Sequence, residues 1–195
     1  LSPVEALAKV SGMAMLTTAQ IGSVVADVTM AQARSRLSLI NERGLLTTDS
    51  QMGLINNNVI RNGERLKHWQ RSYVAGILPV HLAKEFREKM DFENHLAVSV
   101  ERPESDPSRI GYTIPVTWDV DNFHTNVNMS AMPFEEQAIN ILPEIEHLID
   151  DDKCRQIVEQ DAYLVNIVDM EWGRPFWLFD KIAEVLGSLE SSYER

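Results

Sequence analysis

Hydrophobic positions change their period near the middle of this chain. From Pro3 to about Arg43 they recur at helical spacing. Leu7, Ala14, Ile21 and Val28 lie seven apart, and Val10, Thr17, Val24 and Ala31 follow three places on. This heptad-like seam, broken before Leu37 and Ile40, is built of small side chains and predicts a closely packed bundle helix or a subunit contact. Ser2 and Pro3 suit its start and Gly44 its C-terminal cap. Thr48-Asp49-Ser50 opens a second expected helix, weakened or ended at Asn56-Asn57-Asn58, and Asn62-Gly63 is a turn signal. Glu64 to Ile77 reads as a third helix, and after Pro79 a fourth sets Leu82, Phe86 and Met90 four apart on one face.

Beyond Asn94 the period becomes two. Leu96, Val98 and Val100 alternate with Ala97, Ser99 and Glu101. Tyr112, Ile114, Val116, Trp118 and Val120 form a second run, and Phe123, Thr125, Val127 and Met129 a third. Three runs in this order predict an antiparallel meander with one apolar face. Pro115 cannot donate to a ladder, so its strand is expected to be an edge or to carry a bulge there. Pro133 and Pro143 suit helix starts, Ala162 to Met170 reads as a fourth strand with broken alternation, and Pro175 precedes a last helix with Phe179, Ile182, Leu186 and Leu189 on its buried stripe. The expected fold class is α+β, with a helical region over residues 1–92 (antiparallel helices in a bundle). An α+β region over 93–195 follows, its small antiparallel meander packed with helices, with one continuous domain over both as the alternative.

Charge divides at the same place. Residues 1–90 carry 11 Lys and Arg against 7 Asp and Glu, whereas residues 91–195 carry 7 against 22, within an overall charge of −11. Such a split bears on association rather than on fold. An apolar fraction of 44% with 24% charged residues belongs to a folded globular chain. The single cysteine, Cys154, leaves no internal disulfide framework and no Cys-based zinc site. Val10 to Ala26 is uncharged but shorter than the roughly 20 apolar residues of a spanning helix, so a buried helix is expected there and no transmembrane segment or membrane contact. The chain begins with Leu1, which fits a processed or trimmed start, and the compartment stays open.

Candidate chemistry is sparse. Glu144 and His147 form one E-x-x-H pair, half of what a di-iron carboxylate site requires, and no second pair occurs. His81 with Glu85, and Asp91 near His95, have metal-ligand or acid–base spacing, but His81 and Glu85 lie off the Leu82/Phe86/Met90 face. Asp150-Asp151-Asp152 lacks the glycine and distant glutamate of a calcium loop and reads as a helix cap. Glycine-rich phosphate loops and nucleophile elbows are missing, so no catalytic, cofactor or metal residues are expected.

Two clusters remain. Arg61, Arg65, Lys67 and Arg71 are interleaved with His68, Trp69 and Tyr73, and on a helix Arg61 and Arg65 would share one face. Such a stripe can contact phosphates and stack on bases, but the overall negative charge argues against nucleic acid. Around the turn Gly173-Arg174-Pro175 stand Trp172, Phe176, Trp177 and Phe179. Tryptophan and arginine are the residues most enriched at binding hot spots. Arg61, Arg65, Arg71, Trp69, Trp172, Arg174 and Trp177 are therefore the expected interaction residues. The expected function is a non-enzymatic protein–protein interaction or assembly component, an acidic structural protein that binds a protein partner or other copies of itself as an oligomer. The alternatives are an enzyme whose site is assembled from scattered residues, and a small-ligand or sensory module with a pocket between sheet and helices.

Overall fold

A computed structural model describes residues 27–93, 95–102, 113–119, 123–129 and 162–193. In chain order these form α1 (Asp27–Glu42), β1 (Leu46–Gln51), β2 (Leu54–Arg61), β3 (Glu64–Pro79), α2 (Val80–Asp91), β4 (Leu96–Glu101), β5 (Thr113–Asp119), β6 (Phe123–Asn128), β7 (Ala162–Trp172) and α3 (Trp177–Tyr193).

The organising element is a long hairpin. β1 and β2 follow one another along a single edge of β3, from Leu46 opposite Ile77 to Arg61 opposite Glu64. Its turn is Asn62-Gly63, with φ of 53° and 83°. Two consecutive positive φ values are what a two-residue turn needs to match the right-handed twist of its strands, and Asn-Gly is the pair that tolerates them best. On its other edge β3 pairs with β7 through its C-terminal half, Arg71 to Pro79, and with β5 through His68 to Gln70. The seven strands among the described residues run β4-β7-β3-β5-β6, with β1 and β2 added on β3, all antiparallel.

Among the described residues, two apolar clusters lie on opposite faces. Val74 and Leu78 of β3, with Val165 and Ile167 of β7, meet Leu37 and Ile40 of α1, Leu82, Phe86 and Met90 of α2, and Phe179, Ile182, Leu186 and Leu189 of α3. The neighbouring positions Tyr73 and Val168 point the other way, as alternation requires. They pack with Ile114 and Val116 of β5, and with Val127 and Met129 from β6 and just beyond it. The second half of β3 is thus buried on both faces and reads as a continuous apolar run. Polar ties fix the helices: Arg36 Nε donates to Asp180 Oδ1 at 2.8 Å, Lys89 Nζ to Ser188 Oγ at 2.8 Å, and an Arg43 guanidinium nitrogen to the Ala183 carbonyl across Gly187. Buried Asn41 closes the turn into β1 by accepting the Thr47 N–H at 2.7 Å and donating to the Leu37 carbonyl at 2.9 Å.

The helical N-terminal half expected from the sequence is overturned, and with it the helical bundle. The stretches around Thr48 and from Glu64 to Ile77 are strands, and the structure is mainly antiparallel sheet with three helices among the described residues. The Asn62-Gly63 turn is present, but it joins strands. The fourth expected helix exists as α2, with Leu82, Phe86 and Met90 buried. β4, β5 and β6 fall on the three alternating runs but make no meander, since β4 pairs with β7 and β5 with β3. A bulge occurs beside Pro115. The strand from Ala162 and the helix after Pro175, with its stripe, are also present. In α1 the buried apolar positions among the described side chains are Ala33, Leu37 and Ile40, while Ala31 is exposed; the seam before Asp27 lies outside the described residues. So do the expected helices after Pro133 and Pro143, the Glu144/His147 pair, Asp150 to Asp152 and Cys154.

Candidate functional site

Where β1 gives way to β2, buried side chains of β1 and β3 knit four segments together. Gln51 Nε2 donates to the Arg71 and Val116 carbonyls and to Thr117 Oγ1, at 3.0, 3.3 and 2.9 Å. Gln70 Nε2 donates to the Met52 carbonyl at 2.6 Å, and Ser72 Oγ to the Gln51 carbonyl at 3.1 Å. Apart from the part-buried Arg71 carbonyl, these groups are buried, so each would cost free energy if left unpaired. The turn after β7 closes onto the same place. Gly53 N–H donates to the Pro175 carbonyl and Gly173 N–H to the Gln70 carbonyl, both at 3.2 Å. Gly53 is required by proximity: a Cβ there would stand 2.1 Å from the Arg174 carbonyl oxygen.

That turn carries an arginine–tryptophan cluster. Asp169 is fully buried and accepts two bonds from Arg174, Nε to Oδ2 at 2.8 Å and NH2 to Oδ1 at 2.6 Å, plus the Glu171 N–H at 3.0 Å. The hydrogen bond to Asp169 holds the Arg174 guanidinium above its ordinary pKa. Its Cζ lies 4.0 Å from the Trp177 ring centroid, and the Trp177 and His95 ring centroids are 4.7 Å apart. His95 Nε2 is buried and finds no hydrogen-bond partner among the described residues.

Arg71 stands 3.9 Å over the Trp172 ring while donating to the Pro115 carbonyl at 2.7 Å and the Met170 carbonyl at 3.1 Å. Burial pulls its pKa down, partly offset by the Asp169 charge. Trp172 also lies 6.3 Å from Trp69. From Trp69 the surface continues across the sheet, because register partners share a face. Trp69 is opposite Ile55 of β2 and Trp118 of β5. The register shift between Asn56 and Val59 then sets Ile60 opposite Arg65, on that same face. Along β3 the alternating positions Arg65, Lys67, Trp69 and Arg71 complete it. Ile60, Ile55, Trp118 and Trp69 are 69, 50, 42 and 39% exposed, and Arg65 and Lys67 are exposed as well.

The expected interaction residues thus regroup. Trp69, Arg71, Trp172, Arg174 and Trp177 come together at the end of β7, whereas Arg61 and Arg65 lie at the hairpin tip. Arg61 stands opposite Glu64 and Arg65 opposite Ile60, so the helical face they were expected to share does not exist. Trp118, Ile55 and Ile60 were not among the expected interaction residues; the Asn62-Gly63 hairpin signal would have paired Ile60 and Ile55 with β3, whereas the place of Trp118 beside Trp69 needs the β3–β5 register. Of the acid–base pairs, Glu85 bonds ionically to Lys89 at 3.4 Å and His81 is exposed. Among the described residues no three His, Cys, Asp or Glu side chains gather at one point. A groove of about 480 Å³ beside α2 is lined by Val80, Ala83, Arg87, Val100 and Tyr163, among others. No described helix is long and apolar enough to cross a membrane.

The chain belongs to the family described as Domain of unknown function (DUF6919), which it matches over residues 15–189. No curated protein matches it.

Proposed function

We propose that this protein is a non-enzymatic interaction or assembly component that binds a protein partner through the arginine–tryptophan face of β2, β3 and β5. The observation that supports this reading is the exposure of two tryptophans and two isoleucines in one register-aligned patch. Soluble chains seldom expose contiguous large apolar side chains without use for them. Tryptophan and arginine are also the side chains whose loss most often weakens an interface. The buried network beneath the patch holds its backbone fixed, which lowers the entropy lost when a partner docks.

The test is native mass spectrometry of the chain isolated gently from its own cells. The expected result is a complex of fixed stoichiometry that disappears in a Trp69→Ala/Trp118→Ala variant. The mass of a single chain in every preparation would end the reading.

A further inference from the structure

We infer that a second copy of the chain continues the sheet at β4, the two β4 strands pairing antiparallel about a two-fold axis at Val98. This surface is separate from the arginine–tryptophan face and does not depend on it. Among the described residues β4 pairs with β7 alone. Other margins of the sheet are interrupted. The ladders of β1 and β2 shift register at Thr47/Asp49 and Asn56/Val59, and β6 hangs on a ladder that shifts beside Pro115 and again beside Thr117. β4 instead runs in unbroken register against β7 from Leu96 to Glu101, with no proline, lysine or bulge. An edge of that kind is a template for another strand.

The phase of the ladder fixes which backbone groups are open. The Met170 N–H donates to the His95 carbonyl at 2.9 Å, so His95, Ala97, Ser99 and Glu101 turn their backbone groups toward β7. Leu96, Val98 and Val100 turn theirs outward, and of these the Leu96 N–H is taken by the Glu93 carbonyl at 3.0 Å. Pairing about Val98 lets Val98 exchange two bonds with the partner's Val98, and lets the Val100 N–H reach the carbonyl of the partner's Leu96. On the helix face every opposed pair is then apolar, and Glu101 meets the partner's His95 rather than a like charge.

α2 favours a second copy over an unrelated strand. It runs antiparallel beside β4: Val80 follows Pro79 at the Glu101 end, and Asp91 closes at the Leu96 end. At 12 and 6 residues the two elements span about 18 and about 20 Å, so an axis at Val98 passes near the middle of α2. One flank of α2 is taken by α3, where Lys89 bonds Ser188. The other flank lines the groove of about 480 Å³ over Val100 and Tyr163, with Lys84 and Arg87 followed by Glu88 and Asp91. Phe92, 83% exposed, continues that row four places after Glu88. Turned about the axis, the flank complements itself. Lys84 and Arg87 face the partner's Glu88 and the partner's Asp91, and Phe92 comes to the partner's Val80, at the apolar end of the groove. Within one chain these charges are tied only along the exposed helix, Lys84 to Glu88 at 4.0 Å and Arg87 to Asp91 at 3.6 Å, which leaves room for a second, cross-copy partner.

The experiment follows the mass of the full chain by light scattering across protein concentration, at about 0.1 M salt. A dimer is expected. Val98→Pro should abolish it, because the lost N–H serves no bond to β7 and proline is tolerated on an open edge. Lys84→Glu/Arg87→Glu and Glu88→Lys/Asp91→Lys should each weaken dimerisation at least tenfold, since each opposes like charges. Mixed in equal amounts, these two charge variants should form a heterodimer; all four positions are exposed, so folding, checked by circular dichroism, is spared. A mass of one chain at every concentration overturns the inference. So does a dimer that all three variants leave intact, or charge variants that fail alone and do not rescue each other. The arginine–tryptophan face is tested apart: Trp69→Ala/Trp118→Ala should leave this dimer unchanged. Loss of the dimer in that variant, with Val98→Pro still dimeric, would move the contact to the other face and end this inference while the interaction reading stands.

Discussion

Arg71 and Trp172 face each other across the β3–β7 ladder, and the guanidinium lies 3.9 Å from the indole centroid while its N–H groups bind carbonyls of β5 and β7. One side chain thereby joins three strands where β3 passes from one set of neighbours to the other. Lysine cannot reproduce a planar group that stacks and donates in two directions. Arg71→Lys should therefore destabilise by about 1–2 kcal/mol, the combined scale of a cation–π contact and a hydrogen bond. Urea unfolding measures this; an unchanged midpoint would show that the contacts add nothing net.

Asp169 sits at 0% exposure with Arg174 as its charge partner. Removing the arginine strands a buried carboxylate, so Arg174→Ala should cost roughly 3–5 kcal/mol. Asp169→Asn in the same chain should recover part of that loss, because the uncompensated charge is then gone. A double variant no more stable than Arg174→Ala alone would contradict this account.

Gly53→Ala should displace the turn after β7, since the new methyl would overlap the Arg174 carbonyl. A loss on the order of 1–3 kcal/mol is expected, as for other overpacked sites. The shift should also show in tryptophan fluorescence, because Trp172 and Trp177 flank the same turn. Loss of stability without a spectral change would place the accommodation elsewhere.

The Lys181–Glu93 pair, 2.9 Å apart, ties α3 to the segment after α2. Its hydrogen bond holds Glu93 below the ordinary carboxylate value of 4.5 and Lys181 above the ordinary 10.5. The sign follows from linkage. The Glu93 contribution is present above 4.5 and is lost as pH falls through its depressed value; the Lys181 contribution is present below 10.5 and is lost as pH rises through its elevated value. Lys181→Met should therefore lower stability at neutral pH by about 0.2–1 kcal/mol, the scale of partly exposed pairs. The gap from wild type should close in strong acid, and a gap independent of pH would assign the effect to lost packing instead.

Among the described residues beyond Asn94, the strands β4, β5 and β6 were legible because alternate places along them are mainly apolar, and α3 because it repeats apolar residues at helical spacing; which strand pairs with which was not. β3 was not legible. Its N-terminal half alternates Arg65, Lys67 and Trp69 with Leu66, His68 and Gln70, so neither face is plainly apolar. Its C-terminal half is buried on both faces, and an apolar run of that kind has no period to separate strand from helix. Only Asn62-Gly63 carried the decisive information, since that pair between two extended runs is a hairpin signal. The site followed the same rule. The cluster at Trp172 to Trp177 was visible as composition, whereas the row Ile55–Trp69–Trp118 exists only once three strands are in register.

The edge of β3 from Arg71 to Pro79 is satisfied by a strand that begins 83 residues later, at Ala162. The ribosome adds about 5–20 residues per second. During synthesis the hairpin therefore waits several seconds with one row of backbone donors and acceptors open, next to the most hydrophobic stretch of the sheet. Open edges of this kind recruit other strands. The interval before β7 emerges is when this edge is most open to misplaced pairing, and a slow-down of translation within residues 80–161 would lengthen it.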